Sequence, residues 1–211
     1  MTLDLFKWTA RGGRAANGGR GEWHAGVWRT VSGPLIPCKH GLHLVTSQQL
    51  VPWMAAELWH AEADPNAARM DLDDKIVVGG ARVTTQVTAW DRDMAVRFAA
   101  DCAERVLPLW AAVHPDDDRP RRAIEAARSG GAAGAVRAAA EAVGAAGAAV
   151  GAAEAAGAAV WAAEAAGAAG AARAAWAAAR AAAWAAWAAD GAAAARAWQN
   201  AHLCDLLGLE P

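Results

Sequence analysis

The chain has 211 residues and a formal net charge of −2, from 20 Lys and Arg against 22 Asp and Glu. That length makes one or two domains with a buried core, and the near balance of charge excludes a generally basic nucleic-acid binder and an acidic solvating tail. A hydrophobic fraction of 55% excludes global disorder.

Residues 1–90 read as β-rich. Leu3-Asp4-Leu5-Phe6-Lys7-Trp8 starts with the apolar–polar alternation of a half-buried strand. A glycine-rich stretch with three arginines follows, from Arg11-Gly12-Gly13-Arg14 to Gly18-Gly19-Arg20-Gly21. It is too short and irregular for a P-loop and has no Gly-Lys-Ser/Thr after it, so it reads as a mobile hairpin loop that could at most cradle a phosphate or brush RNA. Val27–Val31 and Gly41–Val45 are two further strands, the first closed by Ser32-Gly33-Pro34. Thr46 with Gln49 fits a capping box and predicts a short helix from about Ser47 to Glu57. Leu58–Glu62 is either a strand or that helix's end, and Asp64-Pro65-Asn66 breaks it. Lys75 to Val87 is β-branched and reads as one long strand, with Gly79-Gly80 as a bulge or bend within it.

Residues 91–211 read as helical. Asp91 caps a segment whose apolar residues Met94, Phe98, Cys102, Val106 and Leu109 recur every three or four positions, and Pro108 limits or kinks its end. Asp116-Asp117-Asp118 signals another N-terminus with Pro120 in its first turn, and Ser129-Gly130-Gly131 ends that helix. About three in five of residues 131–200 are Ala. One helix spanning them would be about 100 Å long with almost no charged face. Several antiparallel helices turning at glycine, sealed by indoles such as Trp176, Trp184 and Trp187, are the expectation.

Three cysteines, Cys38, Cys102 and Cys204, are odd in number and widely spaced, which is no disulfide framework. The start lacks a basic segment followed by an apolar run, no stretch is long and apolar enough to span a membrane, and the expected compartment is the cytoplasm. All three lysines, Lys7, Lys39 and Lys75, lie before Trp90, and every base after it is Arg.

Chemistry-bearing clusters are few. Cys38, His40 and His43 place a thiol and two imidazoles within six residues, but zinc sites usually draw on a second cluster, and a structural turn leading into a strand is the blander reading. Asp71, Asp73 and Asp74 lack the glycine and further oxygens of a calcium loop and read as a solvated loop. Serine is scarce, at 32, 47 and 129, and no nucleophile elbow is present.

Phe6-Lys7-Trp8, the run Pro37 to Leu44, Asp74 to Val78 and Ala81-Arg82-Val83 together resemble a small bacterial and phage domain of unknown function covering residues 1–90. That family carries a Gly-Phe/Leu-His step after a Cys-containing strand and a later Asp-Lys-Val-type strand. Ala100 to Leu107, Asp116 to Arg121, Ala123 to Arg128 and Trp198-Gln199 are similar to an alanine-rich helical family of immunity-type proteins associated with polymorphic toxin systems. The order of elements in residues 1–60 also resembles mono-ADP-ribosyltransferases. That likeness implies NAD beside Lys7, Thr46 and Ser47, with Glu57 or Glu62 as the glutamate.

The sequence thus leads to an α+β fold, with a small β-rich N-terminal domain over residues 1–90 and an all-α, Ala-rich multi-helix bundle over residues 91–211. The expected function is a non-catalytic protein-binding module of immunity or phage-defence type. It would engage a protein partner or a second copy of itself, with no cofactor, metal, nucleic acid or membrane. The alternative is an NAD-using, ADP-ribosyltransferase-like enzyme sited in residues 1–60, with Lys7, Thr46 and Ser47 at the cofactor.

Overall fold

A computed structural model describes residues 4–113, 115–129 and 192–210. Among these, the strands are β1 (Leu5–Thr9), β2 (Arg29–Thr30), β3 (Leu42–Leu44), β4 (Glu57–Ala63), β5 (Arg69–Asp71), β6 (Ile76–Val78) and β7 (Gly80–Gln86). They form two antiparallel sheets, ordered β1-β4-β7-β2 and β3-β6-β5. The sheets are tied where Phe6 and Val45 exchange backbone hydrogen bonds of 2.8 and 2.9 Å. Leu5, Ala61, Ala81 and Val83 of the larger sheet pack with Leu42, Leu44, Ile76 and Val78 of the smaller one, and Trp23 from the long β1–β2 connection joins them. Alternation delivers this core: Leu42 and Leu44 point one way from β3, while His43 between them points the other.

The long strand expected from Lys75 to Val87 is two strands in different sheets. Gly79 is the crossing point: its N–H donates to Ala68 O at 2.8 Å and its carbonyl accepts from Val31 N–H at 2.8 Å. These bonds leave β6 paired with β3 and β5, and β7 paired with β2 and β4.

The helix expected over residues 47–57 is two 3₁₀ turns, Ser47–Gln49 and Val51–Trp53, followed by β4. The capping box is present, with Thr46 N–H donating to Gln49 Oε1 at 3.2 Å. Pro52 has no N–H to continue an i→i−4 ladder, so the helical start does not propagate. Gln49 Nε2 donates instead to Leu72 O at 2.8 Å and to Asp73 O at 3.2 Å, pinning the turn to the β5–β6 hairpin.

Three α-helices are described: α1 (Arg92–Val113), α2 (Arg119–Arg128) and α3 (Ala192–Leu207). Asp91 Oδ1 caps α1 by accepting Met94 N–H at 2.8 Å, and Pro120 lies in the first turn of α2. Pro108 sits within α1, which continues past it to Val113. His202 of α3 stacks on Trp198, with ring centroids 5.0 Å apart, and on Phe98 of α1. Its Nε2 lies 2.9 Å from Asp101 Oδ2, and Arg128 of α2 joins Asp101 and Glu104.

These three helices do not show the all-α multi-helix bundle expected over residues 91–211. The reason is visible on α3, whose buried face is directed partly at the β-rich region instead of at other helices. Asn200 accepts Val51 N–H at 3.0 Å and donates to Gln48 O at 2.6 Å, and Cys204 Sγ donates to Ser47 O at 3.7 Å. The two 3₁₀ turns leave backbone groups without helical partners, and α3 satisfies them. Trp176, Trp184 and Trp187, with the tract they were expected to seal, lie outside the described residues. Among the described residues no helix is long and apolar enough to cross a membrane.

Candidate functional site

The β-rich region encloses a cavity of about 560 Å³, within the size range of small-molecule sites. Its walls include Lys7 of β1, Arg29 of β2, His43 of β3, Trp53 of the second 3₁₀ turn and Lys75 before β6. The β1–β2 connection contributes residues 15–20 and Trp23. Every lysine of the chain therefore borders one cavity, since Lys39 does so as well. Arg20 and Arg29 bring the cationic side chains to five, and among the described residues no carboxylate lines the cavity.

β1 sets the position of Lys7. The Leu5, Lys7 and Thr9 side chains share one face of the strand, where Leu5 enters the core and Lys7 reaches the cavity. Lys7 Nζ donates to His43 O at 2.9 Å and lies 5.1 Å from the centre of the Trp23 ring. The Arg29 guanidinium lies over the same indole at 4.7 Å. Burial, and secondarily repulsion from Arg29, lower the Lys7 pKa to about 8. Arg29 itself is held by the carbonyls of Glu22 at 2.9 Å and Arg20 at 3.3 Å.

Lys75 is different. Its ammonium pairs with Asp74 at 2.9 Å while lying 4.7 Å over the Trp53 ring. Trp53 is oriented by its Nε1–H, which donates to Asp74 O at 2.7 Å. Lys39 and Cys38 belong to a tight turn closed by Ile36 and His40, whose backbones bond at 2.7 and 2.8 Å. Both side chains are exposed, and Cys38 takes a left-handed φ of 62°. His43 accepts Cys38 N–H on Nε2 at 3.3 Å, which assigns the ring proton to Nδ1. Burial first, then the Lys7 and Lys75 charges, hold the His43 pKa below its ordinary value, against a smaller opposing pull from Asp74. Its imidazole is neutral at physiological pH.

The glycine-rich loop is a braced hairpin. Thr9 and Ala15 form a backbone bridge, as do Arg14 and Glu22. Glu57 anchors its base by accepting Gly12 N–H at 2.8 Å, Gly13 N–H at 3.0 Å and the Thr9 hydroxyl at 3.0 Å. Burial opposes the Glu57 charge, yet these donors outweigh it and hold the carboxyl below its ordinary pKa. Farther out, Asn17 Nδ2 donates to Trp53 O at 2.9 Å, so the loop tip is tied to the opposite wall of the cavity.

Of the residues singled out from sequence, the structure brings Lys7, Cys38 and His43 to the cavity wall, and with them Gly18, Gly19 and Arg20 of the glycine-rich run. His40 faces Ser32 O at 3.0 Å instead. Among the described residues no group of three or more His, Cys, Asp or Glu is placed to hold a metal ion. Thr46 and Ser47 do not line the cavity and lie at the turn where α3 docks. Neither Glu57 nor Glu62 lines it, and Glu62 pairs with Arg82 at 2.6 Å. Arg29, Lys39, Lys75, Trp23 and Trp53 were not identified from sequence. The signal that could have found part of this set is the confinement of lysine to three positions in a chain that otherwise uses Arg.

The low Lys7 pKa carries a stability consequence. With a folded-state value of about 8 against an ordinary 10.5, the unfolded chain binds more protons between those two pH values. Lys7 therefore costs stability fully below pH 8, and that cost disappears as pH rises toward 10.5. Lys7→Met is expected to be more stable than wild type at pH 7, with the difference shrinking from pH 8 to 10.5. Urea melts of both proteins across that range measure it, and a constant difference would refute the assignment. Comparisons with protein-family models, with curated proteins and with solved structures gave no match to this chain.

Proposed function

We propose that the chain binds a small phosphorylated ligand with a planar ring, of the nucleotide class, in this cavity. The observation that carries the reading is the convergence of all three lysines with Arg20 and Arg29 on walls with no carboxylate among the described residues. Such a field is repulsive to itself and is relieved by a bound polyanion. Lysine supplies compact point charges suited to phosphate oxygens, and arginine adds a planar fork. Trp53, partly exposed and already over an ammonium, offers an indole edge or face to a ring.

NAD, with two phosphates, belongs to the same ligand class. Transfer chemistry on it has no support from the cavity wall, because Glu57 and Glu62 are bonded elsewhere. The protein-docking expectation drew on the alanine-rich tract, which lies outside the described residues.

Indole fluorescence titrated with AMP, ADP, NAD and inorganic phosphate tests the reading. The expected result is saturable quenching by the phosphorylated compounds, weaker at higher salt, with adenosine far weaker than AMP. Lys39→Gln, at an exposed position that supports no packing, is expected to weaken AMP binding by about threefold to tenfold. No saturable response to any phosphorylated compound up to about 1 mM would overturn the proposal.

A further inference from the structure

We propose that Lys7 is a carbonyl-reactive amine, which condenses with an aldehyde or ketone of an anionic ligand held in the cavity to form an imine. This rests on the anion-binding reading and adds a covalent step to it.

The three lysines are not equivalent. Lys75 has a carboxylate on its ammonium, with Asp74 2.9 Å away. Lys39 stands exposed on a turn, where water solvates its charge. Lys7 has neither aid. Its Nζ is directed by one carbonyl, His43 O, at 2.9 Å, and it shares the Trp23 indole with the Arg29 guanidinium. A desolvated lysine beside another cation is the arrangement that frees an amine lone pair near neutral pH. With a pKa of about 8, roughly a quarter of Lys7 is the free amine at pH 7.5, against roughly one part in a thousand for an ordinary lysine. The surrounding cations would also hold an anionic carbonyl compound beside it, so the same wall supplies nucleophile and affinity.

The step balances without any further reagent. The Lys7 Nζ lone pair forms a C–N bond to the carbonyl carbon, and the carbonyl π pair moves to oxygen. A proton shifts from nitrogen to that oxygen, giving a carbinolamine. Loss of the hydroxyl with a second nitrogen proton, together one water, leaves the imine. Solvent water carries the proton from nitrogen to oxygen.

Pyridoxal 5′-phosphate is the probe, because it joins an aldehyde, a planar ring and a phosphate. The full chain is titrated with it, reduced with borohydride and mapped by peptide mass spectrometry, which separates Lys7 from Lys39, Lys75 and the terminal amine. The expected result is a trapped adduct on Lys7 at about tenfold lower probe concentration than at the other amines, suppressed by AMP and by inorganic phosphate. Lys7→Arg is expected to give no adduct at that position, while labelling of Lys39 and Lys75 stays as in wild type. Even labelling of all amines, or an adduct at Lys7 no more readily than at Lys39, overturns the proposal. If AMP and phosphate bind and compete but Lys7 is not trapped, the covalent step fails and the anion site stands. If Lys7 is trapped while AMP and phosphate neither bind nor compete, the anion-binding reading fails, and the proposal in this form falls with it.

Discussion

Gly13→Ala is expected to lower the unfolding free energy by about 3 kcal/mol, a fall in melting temperature of about 6–12 °C for a chain of this size. Two effects add at this position. Gly13 has a φ of 73°, in the left-handed region where a Cβ is unfavourable, and a Cβ built there lies 2.2 Å from the Trp23 carbonyl oxygen. That oxygen belongs to backbone, and Gly13 O accepts Trp23 N–H at 2.7 Å, so neither side can yield without breaking the hairpin. The Gly13 N–H is also one of the donors that hold the Glu57 carboxylate, and its displacement loosens a charged, partly buried anchor. Gly18→Ala is the control. Its φ is 82°, but a Cβ there meets nothing within 4 Å, so only the backbone term of about 1 kcal/mol remains. Thermal melts followed by circular dichroism compare the two, and equal losses would show that the approach to Trp23 is not limiting.

Asn200→Ala is expected to cost about 3 kcal/mol as well. Asn200 is 4% exposed and its amide bonds to both 3₁₀ turns, through Val51 N–H and Gln48 O. Truncation leaves a donor and an acceptor without their partner at a packed interface, in addition to a small void. Asn200→Asp keeps the acceptor for Val51 but turns a second oxygen toward the Gln48 carbonyl, so it is expected to be no better. Urea denaturation gives the loss, and amide exchange at Val51 gives its location. The Val51 amide is expected to exchange about 100-fold faster in Asn200→Ala. An unchanged melt with unchanged Val51 exchange would show that the amide contributes nothing to docking.

What was legible in the sequence is what local chemistry controls. Alternation placed β1, Asp91 marked the start of α1 and Pro120 marked that of α2, whereas Gly79-Gly80, read as a bulge or bend within one strand, is where the chain passes from one sheet to the other. The capping box at Thr46 was correctly read but overextended, because a cap specifies where a helical turn begins and Pro52 decides how far it continues. β2 lies inside the strand expected over Val27–Val31, whereas β5, at three residues, is too short for a periodic pattern and exists through its pairing partner. The alanine-rich bundle was argued from helix propensity, which says nothing about what a helix packs against. α3 shows the limit of that argument, since Asn200 meets residues 149 and 152 positions earlier.

The cavity was least legible, for the same reason. Lys7, Arg29, Lys39 and Lys75 come from four segments and share no motif. They meet because β1 pairs with β4, β2 with β7 and β3 with β6, strands far apart along the chain. Glu57 shows the converse: an acidic residue that resembles a catalytic candidate in the sequence is a brace for Gly12 and Gly13.

The contact between α3 and the turn at residues 47–53 also bears on biosynthesis. A ribosome adding about 5–20 residues per second needs about 8–30 s to pass from that turn to Asn200. During that interval the nascent chain carries Val51 N–H and Gln48 C=O without their final partner, next to the apolar side chains Leu50 and Val51 that end up buried. The emerging β-rich segment thus waits on a late helix for its last cover. Chaperone occupancy is expected to be lower on the full chain stalled behind an added linker long enough to expose α3 than on intermediates that stall before α3.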